Sequence, residues 1–393
     1  MIGTVRKINP RTGCIEWTRV SSNNVAKGDT ETESIIYKVD PVREKGRHIF
    51  QIGTNDPDRA VTAARLVAAD VDGIDVNAGC PKSFSTTGGM GAALLRKPDL
   101  LCSILEALAR EIPREFGIGV SVKIRILETP DLTEALVRRL VRTGIHALTV
   151  HCRTTPMRPR EPAIRGQLKM IRDLCHEAGV ACLMNGDVGS REEALTKLIP
   201  EFGVDGAMIA RAAEKNPTCF LPGPPKTWSE SWKENVKRYL RYAMESENKI
   251  GNSKFMLTQM VPGKAPEYQK LQHERDYESW CEVLGYKETD PEMMELAKKT
   301  DWLLGASKEQ VAIVEAEKKR QKEIAAKEKA LAKEKERLEK QAQQKQQRQQ
   351  NSNNNNNKRR RDSVTSNGSN SGRPRGPKRW NDEAREPQTT AQA

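Results

Sequence analysis

The residue types able to do chemistry cluster in one stretch of the chain. Cys80 sits in a Gly79-Cys80-Pro81 turn, followed by KSFSTTGGMGAALL with its three glycines. A thiol is mostly protonated at neutral pH and can donate a proton, so proton donor, nucleophile and packed core thiol are the three roles open to it. Its place at the end of an apolar run, beside a Gly-rich segment read as mobile, favours chemistry over packing. A second set of polar side chains interrupts otherwise apolar runs: Gln51, Asn77, Lys123 and Arg125, His151 and Arg153, Asn185-Gly186-Asp187, and Ala210-Arg211. Burying such groups costs free energy unless they are paired, so packing alone does not account for them.

The elements that must position these residues are legible as a βα rhythm. Six short apolar runs read as strands: HIFQIG (48–53), GIDVNAG (73–79), VSVKIRI (120–126), ALTVHCR (147–153), ACLMNGD (181–187) and GAMIAR (206–211). Such runs are typical of buried parallel strands. Amphipathic stretches alternate with them. In TPDLTEALVRRLVRTG, Thr129 is the expected N-cap, Pro130 suits the first turn and Gly144 the stop. The alternation predicts an α/β fold with a parallel sheet, doubly wound or closed as a TIM-type barrel.

Every expected strand carries its polar residues at its C-terminal end, which in a βα barrel is the mouth that holds the active site. The Asn185-Gly186-Asp187 and Ala210-Arg211 turns follow the last two strands, where barrels commonly bind phosphate. Lys123 and His151 are placed to face the ring of a planar cofactor. No GxGxxG follows a strand and no GxxxxGK[ST] occurs, so neither a Rossmann site nor a P-loop is supported. None of the eight cysteines forms a CxxC pair, which argues against a zinc site, and no other metal site is expected. Cys152 and Cys182 read as packing, His146 and His176 as surface histidines.

The rest of the chain divides by composition. Residues 1–47 form an irregular N-terminal segment, with a hairpin around Pro10 and Gly13 and a polar loop after it. The βα region spans 48–224. Residues 225–305 read as a small helical domain, with aromatics on one helix face and Lys/Arg on the other. Residues 306–350 read as a charged helix and 351–393 as a disordered basic tail. Of the formal charge of +13, residues 308–393 carry +10. That excess fits a solvated tail, a phosphate-binding arm or nuclear-import signals at KRRR (358–361) and RPRGPKR (373–379). No run of eighteen apolar residues exists, so no transmembrane helix is expected. The start has no apolar signal-peptide core. A cytoplasmic or nuclear monomer with reduced thiols is the expectation.

GIDVNAGCPKSFSTTGGMGAALL, with HIFQIGT before it and SVKIRI, TVHCRT, MNGD and IAR after it, resembles the tRNA-dihydrouridine synthase family. The GCP loop with its Gly-Gly-Met-Gly-Ala segment is similar to the eukaryotic branch acting on uridine 20 of the tRNA D-loop. The resemblance runs from about residue 36 to 300. It implies an FMN-binding TIM-type (β/α)8 barrel, then a helical domain that helps hold tRNA. NADPH or NADH would be the reductant, and the uracil 5,6 double bond the target. It further implies Gln51, Lys123 and His151 as flavin contacts, and Asn185, Gly186, Asp187, Ala210 and Arg211 as the phosphate cradle. Asn77, Arg125 and Arg153 would face the substrate, and Cys80 would be the acid that protonates C5.

Six strands are two fewer than a closed barrel needs, and the family's first strand bears a Pro-Met pair that has no counterpart here. The barrel is therefore expected to be N-terminally incomplete, and the chain alone to hold little FMN. Animal members of the branch also carry a double-stranded RNA-binding domain, which the C-terminal region does not resemble. Two other functions stay open: a non-catalytic RNA-binding remnant of the family, and another FMN-barrel oxidoreductase acting on small molecules.

Overall fold

A computed structural model describes residues 1–20, 33–46 and 48–362. The polar loop expected over 21–34 lies outside the described residues as far as 32, its last two residues, Glu33 and Ser34, opening a strand instead, and the tail after 362 lies outside them too. Residues 1–311 make one compact unit and 312–393 a second.

The centre of the first unit is a parallel sheet of six strands in chain order. They are β4 (Ile49–Ile52), β5 (Gly73–Asn77), β6 (Gly119–Arg125), β7 (Ala147–His151), β8 (Ala181–Asn185) and β9 (Gly206–Met208). Each coincides with one of the six expected runs. Neighbours in chain order with helical connections are the TIM-barrel arrangement.

Register sorts the side chains by face. Gln51 pairs with Asp75 and Asp75 with Ser121. One step along, Asn77, Lys123 and Thr149 align, and then Arg125, His151 and Asn185. Because strand side chains alternate, all of these share one face. The other face carries Ile74, Val76, Val120, Val122, Ile124, Leu148, Val150, Cys182 and Met184, all fully buried. This apolar face packs in one core with Ala60 and Ala64 of helix Pro57–Arg65, Leu101, Leu105 and Leu108 of helix Pro98–Phe116, and Leu136 and Val137 of helix Pro130–Leu140. The runs that read as uniformly apolar are thus two-sided, with an apolar face under the helices and a polar face opposite.

Helix starts follow the sequence. Asp56 caps Pro57–Arg65 by accepting from the Arg59 N–H, and Thr129 caps Pro130–Leu140 by accepting from Leu132.

Residues 1–47 are more ordered than expected. β1 (Val5–Ile8), β2 (Ile15–Val20) and β3 (Glu33–Val39) form an antiparallel sheet in that order, and the expected hairpin joins β1 to β2. Trp17, fully buried in the barrel core, donates from Nε1 to Leu66 O at 2.8 Å. The reading as irregular fails because this sheet finds its partners far off in sequence, as Trp17 does at Leu66.

Six helices between Trp228 and Leu303 enclose a second core around Trp232, Leu240, Tyr277, Trp280 and Met293. The charged helix runs Lys308–Asp362, twelve residues past its expected end at 350. Once a helix is nucleated, each added residue gains a hydrogen bond, and no Gly or Pro occurs from Lys308 to Asp362.

Candidate active site

The polar face holds a connected set of side chains. Asp75, buried on β5, accepts from Gln51 Nε2 at 2.7 Å and from Ser121 Oγ at 2.7 Å. Gln51 Oε1 in turn accepts from Asn77 Nδ2 at 2.8 Å. Asn77 Oδ1 then accepts the backbone N–H groups of Gly79 and Cys80, at 3.1 and 3.0 Å. A relay of side chains on β4, β5 and β6 therefore fixes the turn that carries Cys80. Asp75 was not singled out from the sequence, though an acid inside an apolar strand is a signal, since it must be paired to be buried. Burial pushes its carboxyl up, opposed by the hydrogen bonds from Gln51 and Ser121.

Lys123 stands between this set and the arginines. Among the described residues its ammonium makes no hydrogen bond or ion pair. Burial, then Arg125, hold its pKa below the usual lysine range, with Asp75 pulling the other way. Arg125 is buried and donates from Nε to Gly79 O at 2.7 Å and from Nη1 to Thr154 O at 2.9 Å, tying the Cys80 turn to the loop after β7.

The segment after Cys80 is folded, in contrast to the mobile loop expected. It forms a helical turn, Ser83–Thr86, and a 3-10 helix, Gly91–Arg96. The Ala92 N–H donates to Cys80 O at 2.9 Å. Gly91 has φ +59°, and a Cβ there would lie 2.6 Å from Cys80 O. Its glycine thus serves close approach to the Cys80 backbone.

Around β7 to β9 lies a cavity of about 540 Å³, within the size range of cofactor sites, whose wall includes Arg125, His151, Arg153, Asn185, Asp187 and Arg211. Arg153 is 3% exposed and donates from Nη2 to Asp187 Oδ1 at 2.6 Å. The same carboxylate oxygen accepts from Arg211 Nη2 at 2.7 Å, while Asp187 Oδ2 accepts the Ala163 N–H at 2.8 Å. Burial alone would raise the Asp187 pKa, but the bonds from Arg153 and Ala163 hold it below the usual range. Arg153 Nη1 also reaches His151 Nε2 at 3.2 Å. Arginine has no acceptor, so Nε2 accepts and the ring proton lies on Nδ1. Desolvation, then Lys123, Arg125 and Arg153, lower the His151 pKa to about 3. Asn185 is buried, with Nδ2 on Met208 O at 2.9 Å. At Gly186, φ is +113° and a Cβ would meet His151 and Ala163 at 3.2 Å, so only glycine keeps the backbone this close.

The expected residues therefore gather in two connected groups. Gln51, Asn77 and Cys80 join through Asp75 and the Asn77 turn. His151, Arg153, Asp187 and Arg211 join through the carboxylate, with Asn185, Gly186 and Ala210 on the same cavity wall. Arg125 touches both groups. Cys152 and Cys182 are buried, and His146 and His176 are exposed. Arg165 is a site residue the sequence did not reveal: its Nη2 donates to the carbonyls of Gly186 and Asp187 at 3.1 and 2.9 Å.

A parallel βα sheet of six strands in chain order, with a polar face and an arginine-rich cavity at the strand C-termini, is the arrangement of a TIM-type barrel. Residues 5–282 match the dihydrouridine synthase (Dus) family, and the chain belongs to it. It is 45% identical over 259 residues to a tRNA-dihydrouridine(20) synthase (NAD(P)+) of Schizosaccharomyces pombe, covering 66% of this chain and 50% of that relative. It is 38% identical over 300 residues to a tRNA-dihydrouridine(20) synthase (NAD(P)+) of Saccharomyces cerevisiae, covering 74% of this chain and 77% of that relative. The chain thus spans half the length of the S. pombe protein. Among solved structures, DHODH from Eimeria tenella pairs with 54% of this chain and 69% of its own, at 18% identity and TM-score 0.33.

Proposed function

We propose that the chain is a flavin-dependent tRNA-dihydrouridine synthase that reduces the 5,6 double bond of uridine 20 in the D-loop, with NADPH or NADH as reductant. The observation that carries this reading is the relay Asp75–Gln51–Asn77, which fixes the Cys80 turn at the strand ends, where Arg125 ties it to the arginine-lined cavity. The names of both yeast relatives, tRNA-dihydrouridine(20) synthases using NAD(P)+, support the substrate, the position and the reductant.

FMN fits the residues present. Gly186 lets the turn after β8 close onto His151, Lys123 offers an amine with no partner among the described residues, and Arg211 adds a cation on the cavity wall. In this reading Asn185, Gly186, Asp187, Ala210 and Arg211 hold the phosphate. Arg211 acts with its side chain half exposed and one nitrogen on Asp187. Gln51, Lys123 and His151 meet the ring and ribityl chain. When bound, FMN carries hydride from the nicotinamide to C6 of the uracil.

The chain's own part is to admit and hold the base and to supply the proton. Uridine must leave its stack to reach the cavity. Asn77 orients the extruded base, and Arg125 and Arg153 give the substrate side of the wall its positive charge. The Cys80 thiol gives its proton to C5, which balances the hydride added at C6 and leaves a thiolate to be reprotonated from solvent.

The test is to purify the chain, measure flavin absorbance, incubate it with excess FMN, unmodified tRNA and NADPH, and map dihydrouridine. Reduction at uridine 20 is expected. Flavin-loaded protein that forms no dihydrouridine in any tRNA would overturn the reading, and RNA binding without flavin would mark a non-catalytic member.

A further inference from the structure

The segment after β7, residues 154–166, has no regular structure yet is held along its length. Arg125 anchors Thr154 O, and the Ile164 N–H returns to Cys152 O at 2.6 Å. Buried Arg153 grips the middle from within, donating from Nε to Glu161 O at 2.7 Å and from Nη2 to Pro159 O at 3.3 Å. Asp187 accepts the Ala163 N–H. One buried guanidinium thus holds this loop by two carbonyls and the Asp187 turn by its carboxylate. These bonds tie down the tip around Pro159, and Met157 and Pro159 form part of the cavity wall.

Arg158 and Arg160 flank Pro159, and both are exposed. Among the described residues neither guanidinium makes an ion pair or hydrogen bond. The carboxylate beside them, Glu161, instead accepts the backbone N–H of Arg158. Two unpaired like charges on a fixed tip repel each other without compensation. A backbone held in place nevertheless lowers its own share of the ordering cost of binding an anion.

We propose that Arg158 and Arg160 bind phosphodiester groups of the RNA strand on either side of the extruded uridine. This rests on the tRNA reading above. Guanidinium suits phosphate because its fork of donors matches the oxygens. The position suits the strand rather than the base: Pro159 between them is part of the cavity wall, while both arginines are exposed beside it and are not part of that wall. Two separate guanidinia fit a chain of phosphates better than the single 2′-phosphate of NADPH. Contacts of this kind set position and carry no sequence information.

The test is binding of the full chain to unmodified tRNA by filter retention across a salt series, comparing the parent with the double variant Arg158→Ala, Arg160→Ala. The double variant is expected to bind about tenfold more weakly. Its plot of log K against log salt should be shallower by roughly 1.4–1.8, at about 0.7–0.9 for each phosphate that the variant leaves un-neutralised. Arg158→Lys with Arg160→Lys should recover most of that slope, which a distorted loop would not. Binding of 2′,5′-ADP, a probe of the reductant's phosphates, should not change. An unchanged affinity and salt slope, or a parent chain that does not bind tRNA, overturns the proposal. Loss of 2′,5′-ADP binding with tRNA binding intact would assign the pair to the dinucleotide and overturns it too. The assay reads binding without turnover. A chain that holds tRNA through these arginines but makes no dihydrouridine would refute the enzymatic reading and leave this one standing.

Discussion

The guanidinium of Arg153 and the carboxylate of Asp187, thirty-four residues apart in sequence, meet at 2.6 Å, with the arginine side chain 3% exposed and the aspartate 34%. This contact joins the loop after β7 to the turn after β8, and through Asp187 it also reaches Arg211. Asp187 adopts φ +51°, a conformation that asparagine also tolerates, so Asp187→Asn removes charge while keeping shape. It leaves a buried guanidinium without its counter-charge. A loss of about 2–3 kcal/mol is expected in urea unfolding, less than for a wholly buried pair. An unchanged midpoint would mean that the loop carbonyls alone satisfy Arg153.

Cys80→Ala removes the proton proposed for C5 and leaves the Asn77 bond to the residue-80 N–H intact. Bound flavin should be retained. Dihydrouridine formation should fall by about 10²-fold or more, the usual scale for losing a general acid. Turnover equal to the parent's would exclude Cys80 from that role.

Arg211→Ala should weaken FMN binding about tenfold, or about 1.4 kcal/mol, measured as flavin lost on dialysis. The effect is modest because the side chain is half exposed and one nitrogen already serves Asp187. Equal retention would move the phosphate contact to the Asn185–Asp187 turn alone.

How much of this was readable beforehand depends on distance along the chain. The six strands and their polar ends were legible because each is a local run, and the structure places β4 to β9 at them. In GIDVN the acid Asp75 marks a buried, paired group, but its partners lie on other strands. Only the pairing of Gln51 with Asp75 and of Asp75 with Ser121 reveals a polar face. The N-terminal sheet was illegible for a related reason: Trp17 finds its partner at Leu66, forty-nine residues on. Gly88, Gly89 and Gly91 read as mobility, yet Gly91 permits a tight contact with Cys80. Composition alone does not separate those two uses of glycine.

His151 should not titrate across the physiological range, because its pKa is lowered to about 3 by desolvation and the surrounding cations. Below about pH 6.5 the unfolded chain protonates this histidine and the folded chain does not. The stability tied to its neutral form is therefore present above pH 6.5 and is lost as pH falls toward 3. His151→Gln should flatten that part of the stability profile. Imidazole nitrogen shifts in the folded protein should show one neutral tautomer, protonated at Nδ1, from pH 8 to 5. A histidine at this position titrating near 6.5 would contradict the environment described.

Glu247 links the N-terminal sheet to the helical region and separates two energetic effects at one position. Its carboxylate receives Arg11 Nε at 2.6 Å, Arg11 Nη2 at 2.7 Å and Asn9 Nδ2 at 3.2 Å, and its backbone lies at φ +49°. The bond from Arg11 is the largest influence holding its pKa below the usual glutamate range. Its contribution is present above that range and is lost as pH falls through the lowered value. Both Glu247→Ala and Glu247→Gly forfeit the three hydrogen bonds and leave buried Asn9 with one partner fewer. Only alanine also bears the cost of the left-handed backbone, about 1–2 kcal/mol. Glycine should therefore be the milder substitution by roughly that amount in thermal or urea unfolding, the reverse of the usual order in a helix. Both variants should lose the acid-dependent part of the Glu247 contribution. Alanine proving equal to or milder than glycine would show that the backbone relaxes out of the left-handed region once Arg11 no longer holds the side chain.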